Sequence, residues 1–361
     1  MFERVLGQEQ IKQQLRQQIA AGRLPHALLF CGTPGGGQFP MALAVASALL
    51  GGGVMVERFV HPDLHFVFPV VRQKSQSGEP SSDQYIQPWR EMLSEDIYFD
   101  LPEWLERMGV ENQQAIIGVG ESAQILRKLS LRSSQGGYKV MIIWLPELMN
   151  QEAANKLLKI LEEPPQQTVF ILVSERPERL LSTILSRTQQ VEFPPLPEGV
   201  MAEALQRERG VGEEDARRIA RLSEGSYVRA LRTLQADAQS SLYFDMFVSF
   251  MRLTYQRKVR ELGAWAEQLA GWGRERQKNF LAYSQHLVRE NFIYNFRQQK
   301  LSYETQEEAQ FSQNFARFIN ERNVYGIMGQ FSDAERDIEG NVNARMVFFD
   351  LALQMAVLIR Q

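Results

Sequence analysis

Residues 140–191 constrain the fold of this chain more than any other stretch. They contain two short apolar runs, residues 140–143 and 169–173, which are typical of strands buried on both faces of a parallel sheet. Asn150 can cap a helix between the runs, and Pro164-Pro165 ends it. The apolar stripe of this helix is Ala154, Leu157, Leu158 and Leu161. The stretch therefore predicts a strand, a crossover helix and a second, parallel strand.

A glycine-rich loop follows an earlier apolar run, residues 26–31, and precedes a predicted helix over residues 41–50. Strand, glycine loop and helix in this order are the setting of a phosphate-binding loop. A working loop needs Lys to reach the β- and γ-phosphates and then Ser or Thr to hold Mg²⁺. Gln38 and Phe39 stand at those positions, and neither can do these tasks. The sequence predicts a degenerate nucleotide loop whose marker residues are Gly32, Gly37, Gln38 and Phe39.

Two sequence blocks carry a family resemblance. Residues 154–165 read ANKLLKILEEPP, and residues 183–188 read TILSRT. Together they resemble the clamp-loader branch of the AAA+ ATPases, of the bacterial DNA polymerase III type. The likeness runs from Phe2 to about Phe193 and fades beyond.

The resemblance implies an α/β fold in three parts. These are an AAA+ P-loop-like parallel sheet core over residues 1–195, a small helical lid over residues 196–240 and an all-helical C-terminal collar over residues 241–361. Within the lid, Gly225-Ser226 lies where active members place a second nucleotide sensor. Because the loop is degenerate, we expect this pair to begin a helix instead.

Catalytic groups are also missing after the predicted strand over residues 140–143. The resemblance places the Mg²⁺-organising Asp and the water-activating acid where this chain has Trp144 and Leu145, and Glu147 stands at a variable position. Without the lysine, the hydroxyl and both carboxylates, the chain is expected to hydrolyse no ATP and to need no cofactor. The first alternative is an ATP-hydrolysing motor subunit of the same family that uses an unconventional loop.

Ser186 and Arg187 are the candidate catalytic residues, acting in trans. The resemblance implies that Arg187 reaches the γ-phosphate of ATP bound to a neighbouring subunit, where arginine fingers accelerate hydrolysis by about 10³–10⁵. The short excursion through Pro177 after the 169–173 strand places Arg187 near the carboxyl edge of the sheet. The alternative is a structural ion pair at a domain edge.

The implied function is that of a rigid, non-hydrolysing stator in a heteromeric ring that loads the sliding clamp onto primed DNA. Its partners would be gamma/tau-like motor subunits and a delta-like subunit, with the clamp contacted only indirectly. In this family the helix over residues 121–132 faces primer-template DNA, so Arg127, Lys128 and Arg132 are candidate phosphate contacts. A helix face that is merely solvated explains these three basic residues equally well.

Residues 71–112 are interpreted as an insertion into the core. A polar segment rich in Gly, Pro and Ser opens it, as expected for a loop. The apolar residues that follow predict one or two short helices laid on the core. The sequence assigns no function to this insertion.

The cysteine and histidine content limits metal chemistry. The chain has one cysteine, Cys31, although this family often carries a four-cysteine zinc module after residue 51. His61 and His65 lack further ligands and are interpreted as turn residues, so no metal is predicted. With no apolar signal segment and no bilayer-length apolar run, a cytoplasmic protein without membrane contact is expected.

The net charge of −3 provides no global attraction to nucleic acid. Residues 252–300, however, hold ten Lys and Arg against four Asp and Glu, with aromatic residues among them. A stand-alone nucleic-acid-binding protein is therefore the second alternative. Aromatic residues at helical spacing more often form a helical core, and this is our interpretation.

Overall fold

The computed structural model describes residues 1–72, 80–110, 113–130, 133, 137–295 and 306–360. The chain forms two compact units, Met1–Leu234 and Gln235–Gln361, which we call the N-terminal unit and the C-terminal unit. The predicted limit between lid and collar, at residues 240 and 241, falls inside one helix, Tyr227–Gln256. The three-part division of the chain stays a prediction.

The N-terminal unit is built on a parallel sheet. Its strands are β1 (Ala27–Gly32), β2 (Leu64–Val67), β3 (Lys139–Trp144), β4 (Thr168–Val173) and β5 (Gln189–Phe193). They lie in the order β2-β3-β4-β1-β5, and each adjacent pair is parallel. Every residue of β3 and of β4 is buried, because helices cover both faces of such a sheet. The two strands predicted from residues 140–143 and 169–173 are thereby confirmed.

Helices surround this sheet and follow it in the chain. They are α1 (Glu9–Ala20), α2 (Gln38–Leu49), α3 (Val54–Glu57), α4 (Ile86–Glu95), α5 (Leu101–Arg107), α6 (Val119–Ser130), α7 (Gln151–Glu162), α8 (Ser182–Leu185), α9 (Glu198–Arg209), α10 (Glu213–Leu222) and α11 (Tyr227–Gln256). Short 3-10 helices lie at Phe2–Arg4, Ser82–Tyr85, Pro146–Leu148 and Pro177–Arg179.

The helix α7 forms for the reasons read from the sequence. The Asn150 side chain accepts a hydrogen bond from the Ala153 backbone N–H over 2.8 Å and caps the helix. Ala154, Leu157 and Leu161 are buried against the sheet. The helix ends before Pro164-Pro165, as predicted, and the chain then enters β4.

The insertion over residues 71–112 is part of the core rather than an accessory to it, although its residues 73–79 and 111–112 lie outside the described ranges. Its helices α4 and α5 carry Trp89 and Trp104, both fully buried in the hydrophobic cluster of the sheet. Trp89 stacks on Phe68 with ring centroids 4.1 Å apart. The Trp104 indole N–H donates to the Pro69 carbonyl over 2.8 Å.

In residues 235–295 and 306–360, the described part of the C-terminal unit, helices are joined by turns and there is no strand, which agrees with the all-helical prediction. After α11 it contains α12 (Val259–Ala270), α13 (Arg274–Tyr294), α14 (Gln306–Phe315), α15 (Val324–Glu339) and α16 (Ala344–Leu358). Phe250 and Trp265 stack with ring centroids 4.2 Å apart, and Phe280 is fully buried beside them. These aromatic residues form a core, as interpreted from their spacing.

Across the described ranges, no helix combines the length and the apolar character needed to cross a bilayer.

Candidate nucleotide loop and trans-acting arginine

The glycine loop connects β1 to α2. Gly35 and Gly37 have φ values of +75° and +103°, which glycine adopts without strain. The helix α2 begins at Gln38, three residues earlier than predicted, so its amino end points its free N–H groups at the loop. This is the geometry of an anion site, and the side chains decide whether an anion can enter.

Gln38 closes the loop from inside. Its side-chain amide donates to the Thr33 carbonyl over 2.7 Å, and the residue is only 5% exposed. Gln8 closes the loop from outside, because its amide donates to the carbonyls of Gly36 and Pro194 over 2.9 and 2.8 Å. Two neutral amides thus satisfy loop carbonyls and bring no positive charge toward a phosphate.

Phe39 stands where the resemblance places the Mg²⁺-binding hydroxyl. Its ring packs against Phe99, Trp89 and Trp144, with centroid separations of 4.9, 5.7 and 6.4 Å. Trp144 is the last residue of β3, where the resemblance places a Mg²⁺-organising acid. Aromatic rings therefore stand at both positions that the resemblance assigns to Mg²⁺ binding.

One carboxylate near the loop, that of Glu147, binds backbone N–H groups. Glu147 Oε1 accepts hydrogen bonds from the backbone N–H groups of Glu175 and Arg176 over 2.9 and 3.0 Å. Burial and the nearby Glu147 carboxylate raise the pKa of Glu175 to about 7. Sequence reasoning missed this pair because the two residues meet only after β3 and β4 align.

The cavity at the loop measures about 20 Å³. It is lined by Gly35, Gly37, Gln38, Phe39, Pro40, Ile97, Tyr98, Phe99, Trp144, Val173, Ser174, Glu175 and Val228. A single water needs about 10–15 Å³, whereas small-molecule pockets span about 300–1,000 Å³. The cavity at the loop therefore has room for about one water and not for a small molecule.

The predicted lid lies directly on the loop. The Tyr227 backbone N–H donates to the Gly35 carbonyl over 3.2 Å. A Cβ atom built on Gly35 would lie 2.7 Å from Ser226 Oγ, so only glycine fits there. Ser226 Oγ also accepts from the Arg229 N–H over 3.3 Å and caps α11. The prediction of a helix start at Gly225-Ser226 is confirmed.

A short segment of the insertion, residues 96–100, which we call the strap, fastens the predicted lid with its charged residues. Asp96 forms an ion pair with Arg209 at the end of α9. Asp100 forms one with Arg232 in α11, with Arg232 Nε 2.5 Å from Asp100 Oδ2. Acids at the two ends of the strap thus both reach basic residues of the predicted lid.

Tyr98, midway along the strap, contacts two further segments. Its hydroxyl accepts a hydrogen bond from the Leu6 backbone N–H over 2.7 Å. Its ring meets Tyr227 edge to face. The only sequence signal of the strap is the alternation Asp96, Tyr98, Asp100, which does not identify partners more than 90 positions away.

Arg187 lies between α8 and β5, at the edge of the sheet where the strands begin. The register shows this, because Gln189 at the start of β5 lies opposite Leu28 near the start of β1. The predicted placement at the carboxyl edge is therefore wrong. A chain that leaves β4 and enters a strand parallel to its neighbours must first return to the starting edge, and Arg187 lies near the end of that return.

The Arg187 side chain is held by its own chain. Nη2 forms an ion pair with Glu162, the last residue of α7, and Nη1 donates to the Thr183 carbonyl over 2.9 Å. Ser186 Oγ lies 3.4 Å from Nη1 and donates to the same carbonyl over 3.1 Å. Ser186 thus helps to shape the turn on which Arg187 stands.

The three candidate DNA contacts have different surroundings. Arg127 is exposed on α6, whereas Lys128 is mostly buried in an ion pair with Asp83. Arg132 lies outside the described residues. Of the two that are described, Arg127 presents the more accessible charge.

The two histidines proposed as turn residues lie in different settings. His61 Nδ1 accepts from the Asp63 backbone N–H over 3.2 Å in the turn before β2. His65 lies within β2, where burial lowers its pKa to about 4. Among the described residues, no group of three or more His, Cys, Asp or Glu is arranged to hold a metal ion.

The parallel sheet, the glycine loop at the end of β1 and the helices laid on that loop define a P-loop-like α/β protein of the AAA+ class. The family model described as "DNA polymerase III, delta subunit" matches residues 7–197, and the chain belongs to this family. This confirms the clamp-loader resemblance of the two sequence blocks.

Curated relatives include delta-prime subunits of DNA polymerase III. The chain is 37% identical to the one from Escherichia coli (strain K12) over 127 residues, which cover 35% of this chain and 38% of that relative. It is 31% identical to the one from Bacillus subtilis (strain 168) over 201 residues, which cover 52% of this chain and 48% of that relative. The matched regions thus span less than half the length of these relatives.

A solved structure of a DNA polymerase III gamma subunit-related protein from Thermotoga maritima is similar at 16% identity, with a TM-score of 0.40. The match covers 96% of this chain and 100% of the solved Thermotoga maritima chain.

Proposed function

We propose that this chain is a delta-prime-like, non-hydrolysing subunit of the DNA polymerase III clamp loader, and that it supplies Arg187 to ATP held by a neighbouring motor subunit. The observation that carries this proposal is that Arg187 and the chain's own glycine loop lie at opposite edges of the sheet. The six residues of β1 separate these edges by about 20 Å at 3.3 Å per residue. Arg187 therefore cannot serve its own loop and is available to a site on another subunit.

The filled loop supports the non-hydrolysing part of the proposal. A cavity of about 20 Å³ leaves no room for a triphosphate, and Gln38 brings no charge to one. The strap and the contact between Gly35 and Tyr227 hold the predicted lid without nucleotide. This is the rigidity expected of a stator.

We further propose the three-part division into core, lid over residues 196–240 and collar over residues 241–361, with the collar as the assembly surface. The partners are gamma/tau-like motor subunits and a delta-like subunit, and the relatives include a DNA polymerase III subunit tau from Bacillus subtilis (strain 168). Primer-template DNA would be met within the ring through Arg127. The sliding clamp would be contacted indirectly.

Two other functions receive less support. An ATP-hydrolysing motor would need a pocket that the side chains of this loop occupy. A stand-alone nucleic-acid binder would expose its aromatic residues for base stacking, whereas Trp265 and Phe280 are buried. Tight, salt-sensitive binding of the isolated chain to primed DNA would favour the stand-alone nucleic-acid binder.

The proposal is tested by reconstituting the ring from this chain and its cognate motor and delta-like subunits. We expect Arg187→Ala to leave folding and assembly intact, because an exposed arginine contributes at most about 1 kcal/mol to stability. DNA- and clamp-stimulated ATP hydrolysis should fall, and Arg187→Lys should rescue it only in part because lysine lacks the planar fork.

The matched control is Arg179→Ala, an exposed arginine on the same excursion between β4 and β5. It should leave the ATPase rate unchanged. An Arg187→Ala ring that assembles and hydrolyses ATP at the unmodified rate would show that Arg187 is a structural residue.

A further inference from the structure

The guanidinium of Arg187 is tied to two different helices. Nη2 pairs with Glu162 at the end of α7, and Nη1 donates to the carbonyl of Thr183 in α8. The side chains of Arg187 and Glu162 are 34% and 48% exposed. Two anchors on separate rigid elements fix the direction of the guanidinium plane while solvent still reaches it.

These anchors use only part of the hydrogen-bonding capacity of the arginine. A guanidinium has five N–H donors, and each Nη atom carries two of them. Nη1 uses its two donors on the Thr183 carbonyl and, at 3.4 Å, on Ser186 Oγ, whereas Nη2 uses one donor on Glu162. The second donor of Nη2 and the Nε–H are left to face oxygens of a phosphate. The arrangement therefore restrains the side chain and still leaves donors for a phosphate.

Stability does not explain the presence of Glu162. An ion pair this exposed adds little to folding. A carboxylate in the last turn of a helix also faces the negative end of the helix dipole, which is unfavourable. Orientation of Arg187 is the effect that the contact does produce.

We infer that Glu162 is a positioning residue, which holds Arg187 so that its free N–H groups meet the γ-phosphate of the neighbouring subunit's ATP. This inference rests on the proposed function of Arg187. A long arginine side chain has many rotamers, and fixing it in advance reduces the entropy lost when it enters the neighbouring site.

The experiment compares reconstituted loaders that contain the unmodified chain, Glu162→Ala, Glu162→Gln, Arg187→Ala or the double variant Glu162→Ala/Arg187→Ala. We expect Glu162→Ala to lower kcat for ATP hydrolysis about tenfold, since small misplacements of positioning groups cost up to about 10²-fold in rate. The KM for ATP should not change, because the motor subunit binds the nucleotide. Glu162→Gln keeps an acceptor oxygen, so its kcat should lie between those of the unmodified chain and Glu162→Ala.

The double variant separates positioning from general structure. If Glu162 acts only through Arg187, the double variant should be no slower than Arg187→Ala alone, because the two effects are not additive. Glu163→Ala, a change at the adjacent exposed glutamate, is the matched control and should keep the full rate.

Each result decides between the two claims. A loader impaired by Arg187→Ala but unchanged or faster with Glu162→Ala would overturn the positioning role alone, as would additive losses in the double variant. A loader unaffected by Arg187→Ala would overturn both the proposed function and this inference.

Discussion

The rings of Tyr98 and Tyr227 meet edge to face with their centroids 5.0 Å apart. Tyr98 belongs to the strap and Tyr227 opens α11, so the contact joins the insertion to the predicted lid. Burial raises the pKa of Tyr98, which keeps its hydroxyl protonated at physiological pH. The insertion, to which the sequence assigned no function, thus connects segments that are distant in the chain.

Replacing Tyr98 with Phe should destabilise the N-terminal unit by about 1–3 kcal/mol, because the buried Leu6 N–H loses its acceptor while the ring contact remains. Hydrogen–deuterium exchange of peptides from this unit, read at several denaturant concentrations, measures the loss. Tyr325→Phe is the control, since Tyr325 is 85% exposed. Equal protection in both variants would mean that the hydroxyl is dispensable.

Restoring lysine at the loop should not restore nucleotide binding. In Gln38→Lys the cavity still holds about one water, and the Phe39 ring still occupies the Mg²⁺ position. Titration calorimetry with Mg-ATP should detect no binding for either the unmodified or the variant chain. A micromolar dissociation constant for either one would contradict the account of a filled site.

The stability of the chain should fall as pH rises from about 4.5 to 7, through the titration of Glu175. Its pKa is raised to about 7 in the folded chain from an ordinary 4.5, so the folded state binds the proton more tightly. The loss approaches about 1.4 kcal/mol per pH unit within this window. Glu175→Gln should remove this slope and be the more stable protein at pH 8.

Denaturant midpoints measured between pH 4 and pH 8 test this expectation. Glu178→Gln, at an exposed position on the same segment, is the control. An unchanged slope in Glu175→Gln would assign the pH dependence to other groups.

The two described basic residues of α6, Arg127 and Lys128, should differ in their effect on DNA binding. Arg127→Ala should weaken binding of the assembled loader to primed DNA and reduce the salt slope by about one, as expected for one lost phosphate contact. Lys128→Ala should mainly disturb the ion pair with Asp83 and leave the salt slope unchanged. Affinity measured over a range of salt concentrations distinguishes the two. Equal slopes in both variants would favour a merely solvated face for α6.

Local rules explain why much of the fold could be predicted from the sequence. Runs of buried β-branched residues determine β3 and β4, and Asn150 determines where α7 begins. The expectation that Gln38 and Phe39 support no ATP hydrolysis comes from the groups that phosphoryl transfer needs at those positions, and it stays a prediction.

The predictions that failed or were missing depend on contacts between distant segments. The edge on which Arg187 lies follows from the parallel pairing of β5 with β1, which no local pattern reveals. The strap requires Asp96 and Asp100 to meet partners on α9 and α11. The start of α2 is a different case, because it involves only a local contact, the hydrogen bond from the Gln38 side chain to the Thr33 carbonyl.

On the proposed function, the small cavity at the loop would also make the conformation of this chain independent of the adenine nucleotide concentration. A protein that binds ATP gains stability as RT ln(1 + [L]/Kd), so its population of conformations follows the cellular ATP supply. Here Phe39, Gln38 and Tyr98 take the place of the ligand, and because they are part of the chain, neither dilution nor starvation can remove them. In the proposed ring, the chain should then keep one conformation while neighbouring subunits that bind ATP respond to its concentration.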